Sequence, residues 1–202
     1  MRTSRLLLGG LLLAALALAG CAAKGPALTR ALESRVDDRS AARLPQGEDQ
    51  GALVVAVVHG REPAPDLSAE LARPLAFVPG VALLEVVPEA SDVLKRLPDH
   101  QQVVVWGPAS AVARMAPSLR EVLARRLADG RWQDADVNAL ATFRDTDADL
   151  VSQLATSGAR MGSCRDGVCT LTAAPEFLLD LLARSDLSAL EAPTTLQPAS
   201  GR

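Results

Sequence analysis

The stretch that decides the fold runs from Val137 to Glu191: VNALATF (137–143), RDTDADLVSQLATSG (144–158), ARMGSCRDGVCTLTA (159–173), APEFLLDLLARSD (174–186) and LSALE (187–191). Val137 to Phe143 alternates apolar with smaller or polar residues, which predicts a strand. Asp147 to Ser157 follows as a helix whose Leu150, Val151, Leu154 and Ala155 form one face, with acids in its first turn and Gly158 as its stop. Ala159–Cys164 and Val168–Ala173 then read as a hairpin. Pro175 opens a second helix carrying Phe177, Leu178, Leu181 and Leu182, and Leu187–Glu191 closes as a strand. The order β-α-β-β-α-β is the split βαβ or ferredoxin-like plan, with two amphipathic helices on one face of a four-stranded antiparallel sheet.

The hairpin carries its own staple. Asp166-Gly167 is a preferred type I′ dipeptide for a two-residue turn, so Arg165 faces Val168 and Cys164 faces Cys169 in the adjacent non-hydrogen-bonded pair. Such pairs bring Cα atoms to about 4.5–5.5 Å, within disulfide range, and a cross-strand disulfide is expected. A redox-active pair and half of a metal site remain as alternatives, although the spacing is not C-x-x-C and no His lies nearby.

Working outward, residues 52–136 alternate short aliphatic runs with helical ones. Leu53–Val58, Val81–Val87 and Val103–Trp106 read as strands of a sheet buried on both faces. Asp66–Phe77, ended or kinked by Pro74, and Asp92–Leu97, capped by Ser91, read as helices. Ala109–Met115 and a helix restarted at Pro117 and closed by Gly130 complete a small α/β layer of three strands. Residues 22–51 are polar and free of aromatics, and their stripe of Leu28, Leu32 and Val36 is thin. They read as a tether with a reach of roughly 30 Å. The tail from 193, broken by Pro193 and Pro198, reads as extended and flexible.

The amino-terminal end is an address. Met1–Arg5 holds two arginines and no acid, and Leu6–Gly20 is fifteen residues of Leu, Ala and Gly, shorter than the roughly 20 apolar residues that span a bilayer. Leu18-Ala19-Gly20-Cys21 resembles the lipobox of bacterial lipoproteins. That resemblance implies cleavage before Cys21, a diacylglycerol on its thiol and an acyl chain such as palmitate on the new amino terminus. Two or three chains, each worth about 0.8 kcal/mol per buried CH₂, hold a protein on a membrane where one does not. The family pattern also implies outer-membrane sorting, because Ala22 stands where an Asp would favour inner-membrane retention. An ordinary signal cleaved at Ala17-Leu18-Ala19 is the alternative. The expected organisation is therefore a signal peptide over 1–20, a lipidated tether over 21–51, a small α/β module over 52–136, a ferredoxin-like module over 137–192 and a flexible tail over 193–202.

The carboxy-terminal module resembles the propeptide-like inhibitor domains of subtilisin-type proteases. The resemblance rests on Leu140-Ala141-Thr142-Phe143, Leu150 through Gly158-Ala159, Val168-Cys169-Thr170-Leu171, Leu178 through Leu182 and Leu187–Glu191, about 55 residues in all. In that family the sheet docks on the protease and the following tail, here Ala192–Arg202, enters the active-site cleft. No protease domain follows in this sequence. The resemblance implies a separate, tethered inhibitor or chaperone and not a zymogen.

Composition narrows the function further. The 202 residues are 49% hydrophobic and 22% charged with a net charge of −3, which falls to −5 once Arg2 and Arg5 leave with the signal. An acidic chain offers no footprint for nucleic acid, and 2% aromatic residues with no Tyr offer no stacking platform. His59-Gly60 resembles the oxyanion turn of α/β-hydrolases, but no G-x-S-x-G is present and both histidines, His59 and His100, precede Ser110. Asp145, Asp147 and Asp149 lack the Gly and Glu of a Ca²⁺ loop, and no metal or cofactor set stands out. Arg114, Arg120, Arg125, Arg126 and Arg131 read as a solvated helix face and Trp132 as a buried or interdomain anchor. The expectation is a lipid-anchored envelope protein that binds a partner without catalysing a reaction, its alternative being a tethered inhibitor of a subtilisin-type protease.

Overall fold

The computed structural model describes residues 27–33, 35–45, 51–65, 68–133, 136–145 and 148–193. The signal peptide, Cys21, Ala22 and the tail from 194 lie outside them. The class is α+β: helices combined with two antiparallel four-stranded sheets. The first sheet has the order β2-β3-β1-β4, from β1 (Leu53–Val58), β2 (Ala72–Val78), β3 (Val81–Val86) and β4 (Gln102–Pro108). Before it come α1 (Ala27–Glu33) and α2 (Asp38–Ala42). A 3₁₀ turn (Pro88–Ala90) and α3 (Ser91–Leu94) lie between β3 and β4, and α4 (Ala109–Val112) and α5 (Pro117–Ala128) follow. The second sheet has the order β6-β7-β5-β8, from β5 (Val137–Phe143), β6 (Arg160–Arg165), β7 (Val168–Ala173) and β8 (Leu187–Glu191), with α6 (Ala148–Thr156) and α7 (Pro175–Leu181) between strands.

The aliphatic run of β1 has the physical cause expected of it, burial on both faces. Val54 and Ala56 join Leu83, Val104 and Trp106 in one core, while Leu53, Val55 and Val57 join Ala82, Leu84, Val103 and Val105 in another. Yet the sheet is antiparallel throughout and has four strands, not three.

The additional strand is β2, where a helix over Asp66–Phe77 was expected. Pro74 decides the difference: it cannot donate inside a helix, but it is tolerated on an edge strand beside a bulge, and the β2–β3 register shifts between Pro74 and Ala76. Arg73 faces Glu85 across the pair and binds its carboxylate.

The tether reading fails for the described residues 27–33 and 35–44. Leu28 and Leu32 are fully buried and Leu44 nearly so, together covering the outer face of the first sheet beside Leu94 and Leu97. A stripe of two leucines suffices because the sheet and α3 already supply most of the apolar surface. Arg35 fastens the link, donating to the carbonyls of Lys95 at 3.2 Å and Leu97 and pairing with Asp99 at 3.3 Å. Asp37 caps α2 through the Ser40 amide at 2.7 Å.

The second sheet follows its sequence pattern closely. Val137, Ala139, Ala141, Phe143, Cys169, Leu171, Ala173, Leu187 and Leu190 face inward against Leu150 and Leu154 of α6 and Leu178, Leu179, Leu181 and Leu182 of α7. The same core takes in Leu119, Leu123 and Leu127 of α5 and the inner face of the first sheet, so hydrophobic packing is continuous between the sheets. Met115 makes a parallel bridge to Leu190, whose amide donates to the Arg114 carbonyl at 2.9 Å and whose carbonyl accepts from the Ala116 amide at 2.8 Å, which covers the free edge of β8.

Candidate functional site

Cys164 and Cys169 are disulfide-bonded and directly opposed across β6 and β7, with Cα atoms 4.0 Å apart. Asp166 and Gly167 adopt φ of 51° and 83°, the left-handed pair that a type I′ turn requires. Cys169 is fully buried, so the staple pins the inner layer of the hairpin. Reduction, or a Cys164→Ser/Cys169→Ser double variant, is expected to cost roughly 2 kcal/mol for so short a loop, read as a lower urea midpoint. Non-reducing mass spectrometry checks the linkage itself.

The two histidines meet at one residue that sequence reasoning missed. His59, just past β1, donates through Nδ1 to the Glu62 carbonyl at 2.6 Å, and His100, just before β4, donates through Nε2 to Glu62 Oε2 at 2.7 Å. Gln101 Nε2 adds a bond to the same oxygen at 3.2 Å. His59 and Glu62 lie in one loop, but His100 and Gln101 come from almost forty residues on, and no local spacing announces the cluster. His100, then Gln101, hold the Glu62 carboxyl below its ordinary range, against a smaller opposing effect of burial. A carboxyl depressed in the folded state contributes stability above its unfolded pKa, and that contribution is lost as pH falls through the folded value. Glu62→Gln is therefore expected to flatten the acid side of the Tm-against-pH curve below about pH 4.3 and to leave the alkaline side unchanged.

Ser110 does not join this cluster. It sits beyond the opposite end of β4, whose seven residues span roughly 20 Å. Among the described residues no group of His, Cys, Asp and Glu has metal-ligating geometry, and no helix is long and apolar enough to cross a membrane.

The arginines are not one solvated face. Arg125 pairs with Glu121 on the outside of α5, but Arg114 turns inward. Its Nη1 donates to the carbonyls of Arg184 at 2.7 Å and Leu187 at 2.9 Å, and its Nη2 to that of Leu182. Trp132 is buried in the shared core and stacks on Trp106 with ring centroids 6.3 Å apart. Its indole donates to Glu176 at 3.2 Å, and Arg39 pairs with the other oxygen of that buried carboxylate. The Glu176 carboxylate in turn raises the Arg39 guanidinium, by hydrogen bond first and by charge second. Trp106 lines a cavity of 410 Å³ together with Arg43, Pro108, Arg114, Leu179 and Leu182, and its own indole N–H has no hydrogen-bond partner among the described residues.

The outward face of the second sheet is open among the described residues. Asn138, Leu140 and Thr142 on β5, Val168, Thr170 and Thr172 on β7, and Ala189 and Glu191 on β8 point away from α6 and α7 and are exposed or half-buried. Thr172 donates to Asn138 at 2.8 Å across the strands. Gly162 on β6 lies so close to the Thr170 side chain that any Cβ there would collide with it. The face carries small residues over β5, β7 and β8 and is flanked by the exposed Arg160 and Arg165 on β6 and by Glu191 on β8, chemistry suited to contact with another surface. Compared with known proteins, the chain matches no family model, no curated protein and no solved structure.

Proposed function

We propose that this protein is a lipid-anchored component of the bacterial cell envelope that acts by docking a partner protein on the outward face of the second sheet. The single observation that carries the reading is that face: a four-stranded surface whose helices are both on the other side, left open among the described residues. The face presents Leu140, an exposed Val168 and Ala189 among threonines, with Arg160 and Arg165 along its β6 edge, a mixed apolar and basic surface that a partner can cover. Anchoring rests on the lipobox at Leu18–Cys21, with outer-membrane sorting suggested by Ala22. The reading involves no metal, cofactor, nucleic acid or catalytic residue.

A charged double variant, Thr142→Arg/Thr170→Arg, tests the docking. In native gels of gently solubilised membranes, the wild type should migrate within an assembly and the variant as a lone chain with unchanged Tm. Identical migration would count against the face. Anchoring is tested by fractionation, where Cys21→Ser should leave the membrane fraction.

A second reading is favoured by the strand order. In the sequence β5-α6-β6-β7-α7-β8 the sheet runs β6-β7-β5-β8, which fits the ferredoxin-like plan expected of propeptide-like inhibitors. On that reading the partner is a subtilisin-type protease and the tail beyond Glu191 enters its cleft. Inhibition of one or more proteases of a subtilisin panel by the full chain in mild detergent would support it, and indifference across the panel would remove it.

A further inference from the structure

A second cavity, of 380 Å³, opens on the other side of α4 from the Trp106 cavity and owes nothing to the docking face. Its walls are α4, the first turn of α5 and the β2–β3 pair. Ala109, Ser110 and Ala113 are too short to fill the space between α4 and the sheet, so a hollow remains above Val54 and Leu75. Arg73 from β2 and Arg120 from α5 both line it. Arg120 Nε donates to the Met115 carbonyl at 3.0 Å, which holds the guanidinium plane, and its two Nη groups have no hydrogen-bond partner among the described residues. Arg73 places Nε, at 3.2 Å, and Nη2 on one oxygen of Glu85.

Glu85 pairs with Arg73 alone, so two guanidiniums stand beside one carboxylate and an excess positive charge is left in a partly enclosed space. Partial burial, then repulsion from Arg73, lowers the Arg120 pKa, and Glu85 only partly opposes this. A guanidinium fork with open Nη groups matches a pair of oxygens on a carboxylate or phosphate, and charge-assisted bonds of that kind are the strong ones. The Ser110 hydroxyl at the rim supplies a further donor.

We infer that this cavity is an oxyanion site, taking the phosphate or carboxylate of a small molecule between Arg120 and Arg73 with Ser110 at its mouth. The apolar floor of Val54 and Leu75 leaves room for a small body attached to that group. The anion arrives either as a free solute or as the headgroup of an anionic lipid, since the anchored chain would lie beside a membrane.

Isothermal titration calorimetry on the full chain in an uncharged detergent, at fixed ionic strength, tests the site with inorganic phosphate and, separately, succinate. One-to-one saturable binding is expected for at least one of them, with a Kd on the order of 1 mM. Arg120→Gln should abolish it and Arg120→Lys should weaken it. Glu85→Gln, which removes the internal competitor, should tighten it about threefold or more. Repeating the titration in nanodiscs of neutral lipid and of phosphatidylglycerol separates the sources: binding competed away by phosphatidylglycerol assigns the site to a headgroup, and binding unchanged by it assigns the site to a solute. No saturable heat from either anion, heat that survives Arg120→Gln, or weaker binding in Glu85→Gln would overturn the inference. The last result would mean that Arg73, Glu85 and Arg120 form only an internal ion relay.

Discussion

Trp106→Ala is expected to destabilise the protein by about 4 kcal/mol, lowering Tm by roughly 10 °C. Trp106 is 1% exposed, stands on the inner face of β4 and stacks on Trp132 within the core that both sheets share. Truncation would remove a large apolar surface and enlarge a void beside the existing 410 Å³ cavity, which the rigid strands of the sheet cannot collapse to fill. Trp106→Phe separates two contributions. It keeps most of the packing and deletes an indole N–H that has no partner, so the loss should be about 2 kcal/mol or less. Urea unfolding of both variants checks this, and equal losses would show that the phenyl ring does not keep the packing of the indole.

Arg114→Ala is expected to cost about 3 kcal/mol, for a different reason. The Arg114 guanidinium serves the carbonyls of Leu182, Arg184 and Leu187, around the end of α7 and the start of β8. Without it those acceptors would lose a charged donor in a half-buried place, and the backbone bonds between Leu190 and the 114–116 segment would lose the side chain that holds the segment against β8. Arg114→Lys should recover only about a third of the loss, because an ammonium cannot reproduce the planar fork. Hydrogen exchange gives a more local reading: the Leu190 and Ala116 amides should exchange faster in Arg114→Ala, while the Val55 amide in β1 should track global stability only.

These two residues also show what the sequence made legible. From Val137 to Glu191 the strands and helices fall almost where periodicity puts them, because each element there alternates or repeats with one clear apolar face and is bounded by Gly, Pro or Asp-Gly. The disulfide was legible for the same reason: a two-residue turn fixes register, and register fixes which side chains oppose. The first sheet was harder. An aliphatic run such as Leu53–Val58 says that both faces are buried but not which way its neighbours run, and β2, with Pro74 and an exposed Phe77, carries little strand signal. Docking of α1 was invisible because its few leucines are judged against surface that only the folded sheet supplies.

The candidate sites were least legible. Arg114 looked like one more cation in a run of arginines, and its acceptors lie about seventy residues on. His59, Glu62 and His100 gave no motif, since their meeting depends on the two ends of adjacent strands coming together. The Arg73–Arg120 cavity depends on five elements at once, β1, β2, β3, α4 and α5.

Site-directed photo-crosslinking in intact cells tests the central claim, docking on the outward face of the second sheet, most directly. A photoreactive residue at Leu140 or Thr170 should give the same discrete adduct with one envelope protein, and one at Glu121 on the outer side of α5 should give none. Adducts of equal intensity and identity from all three positions, or none from Leu140 and Thr170, would contradict it.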